Sequence, residues 1–98
     1  MIYITRRLEF CASHRLYNPI FSDEKNETTF GLCNNPNGHG HNYVLEVTVR
    51  GEVDPQTGMV LDLKALKKLI NEEIVNKVDH KNLNIDVDFL KGVIPTAE

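Results

Sequence analysis

Residues 2–14 alternate between apolar and polar side chains. Ile2, Ile4, Leu8, Phe10 and Ala12 share one parity, interrupted by Arg6, while Tyr3, Thr5, Arg7, Glu9, Cys11 and Ser13 share the other. A period of two with one apolar side predicts a half-buried strand. His14 falls on the apolar side. Residues 39–53 repeat the pattern. His39, His41, Tyr43, Leu45, Val47, Val49 and Val53 lie on one parity, and Asn42, Glu46, Thr48, Arg50 and Glu52 lie opposite, with Val44 as the exception. "DPQTG" then reads as a turn. From Asp62 the period lengthens. Leu63, Leu66, Leu69, Ile70 and Ile74 recur at three and four, which predicts an amphipathic helix over 63–77 with Asp62 as its N-cap.

The connecting segments are less regular. Residues 15–38 include "NPIFSDEKNETTFG", polar and rich in turn formers, and read as a long irregular loop. "VDHKNLNIDVDFLKG" reads as loop with a turn of helix. "IPTAE" reads as a helix start, with Thr96 as N-cap and Glu98 in the first turn.

Composition narrows the classes. The chain has 98 residues, enough for one domain, with 41% hydrophobic and 26% charged residues, as in ordinary soluble proteins. No apolar run approaches the ~20 residues of a membrane helix, and no secretory h-region follows the first residues, so no membrane contact and a cytoplasmic location are expected. A net charge of -3 argues against a nucleic-acid partner. Cys11 and Cys33 are expected to be free thiols in a reducing compartment.

The candidate chemistry lies in "CNNPNGHGHNY", Cys33 to Tyr43, where a loop becomes a strand. If the two strands pair antiparallel, the first ends where the second begins. His14 then meets His39 and His41, all on the core-facing parity. Side chains two apart on a strand point the same way, roughly 6.6 Å apart at the alpha carbon. Three neutral imidazoles converging from two strands can hold zinc and leave one position open, as in catalytic sites. Gly38 and Gly40 are expected to relieve crowding beside the rings. Cys11 has the wrong parity to join them and reads as structural. On their own, the remaining residues have bland readings. Cys33 is a small buried apolar residue, Asp79–His80 a helix-end cap or solvent-facing pair, and Glu98 a surface residue.

"FCASHRL", "FGLCNNPNGHGHNY", "GEVDPQTGMV", "DHKNLN" and "PTAE", in this order, closely resemble the 6-pyruvoyltetrahydropterin synthase family over nearly the whole chain. The resemblance implies an α+β tunnelling fold, an antiparallel sheet with helices packed on one side. Three subunits would close a barrel, and two trimers would stack into a hexamer. It implies zinc-dependent conversion of 7,8-dihydroneopterin triphosphate to 6-pyruvoyl-tetrahydropterin and triphosphate, in tetrahydrobiopterin synthesis. By position, His14, His39 and His41 match the zinc ligands. Cys33 matches the catalytic thiol. Asp79 and His80 match the pair that reaches the thiol of a neighbouring subunit, and Glu98 matches a carboxylate near the pterin.

The resemblance also implies a domain that continues after "PTAE" with the rest of a helix and two strands. Residues 1–98 therefore read as one pterin-synthase domain, incomplete at its C-terminus. On that reading the chain is expected to form neither a stable barrel nor an efficient enzyme, and a zinc-binding, inactive homologue is an alternative. A second alternative is the related 6-carboxytetrahydropterin synthase of the queuosine pathway. Its cysteine usually lies closer to "HGH", with three residues intervening, whereas five, "NNPNG", intervene here.

Overall fold

Two 13-residue strands dominate the computed structural model, which describes residues 1–98. β1 (Ile2–His14) and β2 (His39–Gly51) pair antiparallel along their full length, from Ile2 opposite Gly51 to His14 opposite His39. The expected pairing and its corner of histidines are thus present. Alternation sorts the two faces as expected. Ile4, Leu8, Phe10, Tyr43, Leu45, Val47 and Val49 are half-buried on one side, while Thr5, Arg7, Glu9, Glu46, Thr48 and Arg50 are exposed on the other. β2 stops at Gly51, two residues earlier than expected. The chain there turns through Asp54–Met59, whose ends are joined by the Asp54 N–H bonding the Met59 carbonyl.

The predicted helix forms, capped by Asp62, whose carboxylate accepts from the Lys64 N–H at 2.8 Å. Its face differs from the expected one. α2 (Leu63–Ile70) runs into a π-helical segment, Asn71–Val75, and a last turn, Asn76–Val78. The buried positions are Leu66, Ile70, Val75 and Val78, spaced four, five and three apart. The wide turn admits the five-residue step and keeps one apolar stripe against the sheet. Leu63 and Leu69, assigned to that stripe by regular spacing, are 48% and 55% exposed. Leu66, Ile70 and Val75 pack on Leu8, Phe10, Leu45, Val47 and Val49, so the helix covers one face only.

A helix also forms where a loop was expected. α1 (Asp23–Phe30) carries no apolar period, which is why the pattern misses it. Polar contacts hold it instead. Ser22 Oγ caps the Lys25 N–H at 3.1 Å, and Asp23 and Glu24 oppose the helix dipole in the first turn. Asn26 is fully buried, and its amide bonds both the N–H and the carbonyl of Asn18. Gly31, at φ 58°, ends the helix, and a 3₁₀ turn, Gly31–Asn34, carries Cys33.

The sheet is mixed rather than wholly antiparallel. A two-residue strand, β3 (Lys81–Asn82), lies parallel to Ala12–Ser13 on the other edge of β1, giving the order β2-β1-β3. Its neighbours Leu83 and Val87 close a small core with Ala12 and Val78, flanked by Phe10, Tyr43 and Leu90. The molecule is elongated, 61 × 24 × 20 Å, with a radius of gyration of 17.8 Å against about 13 Å for a compact chain of this length. No helix is long and apolar enough to cross a membrane.

Candidate metal centre and its surroundings

The antiparallel register fixes the centre. His14 faces His39 directly and Ala12 faces His41, so the three rings meet at one corner of the sheet. Ring centroids lie 4.7–5.0 Å apart, with each ring edge-on to the others. One nitrogen from each comes within 4.8 Å of the other two. His14 is buried, His39 half-buried and His41 exposed, so the cluster opens outward on one side.

The donor chemistry fits a divalent metal. His14 Nδ1 lies 2.6 Å from the Pro95 carbonyl, which can only accept, so this nitrogen carries the proton. Nε2 is then left with a free lone pair. It is buried and has no hydrogen-bond partner, an arrangement that is costly unless something else occupies it. The His39 pKa is pushed down by loss of solvent and by the neighbouring His14 and His41, which favours the neutral, ligating form. Tyr43 shares the parity of the histidines, and its hydroxyl lies 3.4 Å from His14 Nδ1. Burial raises its pKa.

The two glycines have different roles from the one expected. Gly38 sits at φ 72°, and a Cβ there would come within 3.0 Å of the His14 carbonyl oxygen. A side chain is therefore excluded by the backbone of His14 rather than by its ring. Gly40 meets nothing closer than the Ala12 carbonyl at 3.6 Å, so it relieves no crowding.

Cys33 stands in a cleft with Glu27, Gly31, Leu32, Asn34, Asn35, Pro36 and His39. Its turn is anchored by its own carbonyl, which accepts from the Leu16 N–H at 2.8 Å. Arg15 adds a fork onto Asn34, reaching its carbonyl at 2.9 Å and its side-chain oxygen at 3.2 Å. Arg15 escaped notice in the sequence because the pairing spans 19 residues. The shared cleft brings the thiol beside the histidine cluster.

Asp79 and His80 are brought together elsewhere. They follow the helix end, where His80 adopts φ 58° and the chain turns back toward β3. Asp79 Oδ1 accepts from the Cys11 N–H and from His80 Nδ1, each at 3.0 Å, and the His80 N–H bonds the Cys11 carbonyl at 2.6 Å. The Cys11 amide, and then His80, hold the Asp79 carboxyl below its usual pKa. The His80 ring, 78% exposed, lines a polar cleft with Cys11, Ser13, Asn42 and Asp86. Within one chain this cleft does not include Cys33. Cys11 is exposed rather than packed in a core, and its backbone is what docks the pair.

Glu98 lies past the histidine corner. The Glu98 N–H bonds Thr96 Oγ1 at 3.0 Å, as an N-cap would, although no helical turn follows within these residues. The Thr96 hydroxyl also bonds the Glu98 carboxylate and is the first cause of its lowered pKa.

Fold and site together define an α+β protein with a three-histidine cluster, open on one side and able to hold a metal, where two strands meet. The chain belongs to the 6-pyruvoyl tetrahydropterin synthase family, whose model matches residues 3–98. It is 56% identical over 95 residues to 6-pyruvoyl tetrahydrobiopterin synthase of Homo sapiens, covering 97% of this chain and 66% of that protein. The solved structure of Caenorhabditis elegans 6-pyruvoyl tetrahydropterin synthase superposes with a TM-score of 0.93 at 50% identity, covering 99% of this chain and 69% of the other. Identity to 6-carboxy-5,6,7,8-tetrahydropterin synthase of Rickettsia typhi is 36% over 80 residues, covering 82% of this chain and 49% of that protein. The chain thus spans just under two thirds of the length of the human relative it matches.

Proposed function

We propose that the chain serves as a zinc-dependent 6-pyruvoyltetrahydropterin synthase, converting 7,8-dihydroneopterin triphosphate to 6-pyruvoyl-tetrahydropterin with release of triphosphate, in the cytoplasm. The observation that carries the reading is the cluster of His14, His39 and His41, with its buried, unpartnered His14 Nε2, in a chain of this family. These three residues would hold the metal. When bound, zinc would act as a Lewis acid toward the substrate's side-chain oxygens and acidify the adjacent carbon-bound hydrogens.

The remaining work belongs to the chain. Cys33, in the cleft it shares with His39, serves as general base and takes a proton from carbon. Asp79 orients His80 through the 3.0 Å contact to Nδ1, which leaves Nε2 to face the reacting thiol. Because Cys33 and His80 line different clefts of one chain, the pair acts on the thiol of a second copy. This favours a homo-oligomer, a trimer or a hexamer. Glu98 contacts the pterin. Hydrogen shifts within the substrate supply the redox change, so no nicotinamide is required.

Zinc content and product analysis on the purified chain test the reading together. About one zinc per chain with a pyruvoyl product supports it. Acetaldehyde release with a carboxylate product would assign the 6-carboxytetrahydropterin reaction instead. Zinc without turnover would leave a metal-binding homologue that does not catalyse.

A further inference from the structure

The segment Ile94–Glu98 crosses the histidine corner without joining a strand or helix. Within it Pro95 is buried, while Thr96, Ala97 and Glu98 are exposed. Two features aim the Pro95 carbonyl. The pyrrolidine ring holds φ, and the Thr96 N–H closes back on the Ile94 carbonyl at 2.8 Å, a three-residue turn centred on Pro95. The carbonyl so presented meets His14 Nδ1 at 2.6 Å. Tyr43, at 3.4 Å from the same nitrogen, is too far to be its main partner. Tyr43, Leu90, Ile94 and Pro95 line one cleft, so the segment is seated on apolar surface as well as tied at its carbonyl.

Resting on the metal reading above, we propose that the Pro95 carbonyl is the outer-sphere partner that sets the tautomer of His14. Metal uptake by the histidine cluster and docking of Ile94–Glu98 are thereby linked. A docked carbonyl accepts from Nδ1–H and so excludes the tautomer with its proton on Nε2, in which Nε2 has no lone pair to offer the cluster's metal. A cation on Nε2 in turn makes Nδ1–H a stronger donor and holds the carbonyl in place. Linkage is reciprocal, so whatever the tie adds to metal affinity, the metal adds to docking. Glu98 is three residues beyond the tie, so its placement follows metal occupancy.

The test uses the full chain with zinc alone as probe. Long-range ¹H–¹⁵N spectra of the zinc-free protein should report His14 as the Nδ1–H tautomer. Pro95→Gly keeps a carbonyl but frees its direction. It should weaken zinc binding by about 10–100-fold, the usual cost of losing an outer-shell partner. Ala97→Gly, which loosens the same segment without touching the tie, should change affinity less than about twofold if the tie carries the linkage. Zinc should slow amide exchange at Thr96 and Glu98 in the wild type and have little effect there in Pro95→Gly. An Nε2–H tautomer for His14 overturns the proposal. So does unchanged zinc affinity in Pro95→Gly, with normal uptake by the wild type. A wild-type chain that takes up no zinc overturns the metal reading and the linkage with it.

Discussion

At the histidine end of the hairpin, Ala12 and His14 are 3% and 5% exposed, whereas at the opposite end Ile2, on the same parity, is 47% exposed. The strands are continuous between these points, and the alternation is as regular at one end as at the other. The difference lies in what returns to the sheet. Val78, Leu83 and Val87 fold back over the histidine end, and Pro95 ties down on His14. At the other end, Ile2 and Ile4 share a groove with Val53, Met59 and Leu63, and Ile2, Val53, Met59 and Leu63 are all more than 40% exposed. Period-two patterning therefore chooses a face, and distant segments decide how much of that face is buried. The site lies at the end where they return.

The comparison is sharpened most by substitutions at the corner itself. His39→Ala should reduce zinc from about one per chain to near none, because two imidazoles make a weak site. Metal analysis after dialysis checks it, and stoichiometric zinc in a variant lacking all three histidines would defeat the assignment. Cys33→Ala should retain zinc and lose turnover by about 10²–10⁴-fold, the range for a general base. Near-normal turnover would remove Cys33 from the reaction.

Core packing separates the two ends next. Leu83→Ala, at 7% exposure beside Ala12 and Val78, should cost about 2–5 kcal/mol in urea unfolding. Acidification tests the tether behind Cys11. Its amide and His80 lower the Asp79 pKa in the folded chain. The associated stability is present above the unfolded carboxylate pKa of about 3.9 and is lost as pH falls through the lower folded value. Asp79→Asn keeps an acceptor for the Cys11 N–H and should flatten the unfolding midpoint against pH below about 4. Ile2→Ala should have the smallest effect, within about 0.5 kcal/mol. A loss matching that of Leu83→Ala would mean that the two ends are equally packed, and the comparison would fail.

Much of this was legible along the chain. Parity alone placed His14, His39 and His41 on one side of two strands, and the antiparallel register then brought them together. The helix after Asp62 was legible in its period and its cap. α1 was not, because a helix held by Ser22 and the buried Asn26 carries no apolar repeat. The true stripe of α2 was hidden for a related reason. Regular spacing selects Leu69, whereas the π turn skips to Val75.

Local order, then, was determined by sequence: which residues alternate, where the helix after Asp62 starts, and which side of each strand is apolar. These follow from φ/ψ sterics and side-chain direction, which act over a few residues. Only the tertiary structure decided that Pro95 meets His14 across 81 positions, that Arg15 grips the turn carrying Cys33, and that Asp79 docks on the Cys11 amide. Two of those contacts use backbone carbonyls and the third a backbone N–H. Every residue but proline carries both groups, so no residue type marks them in advance.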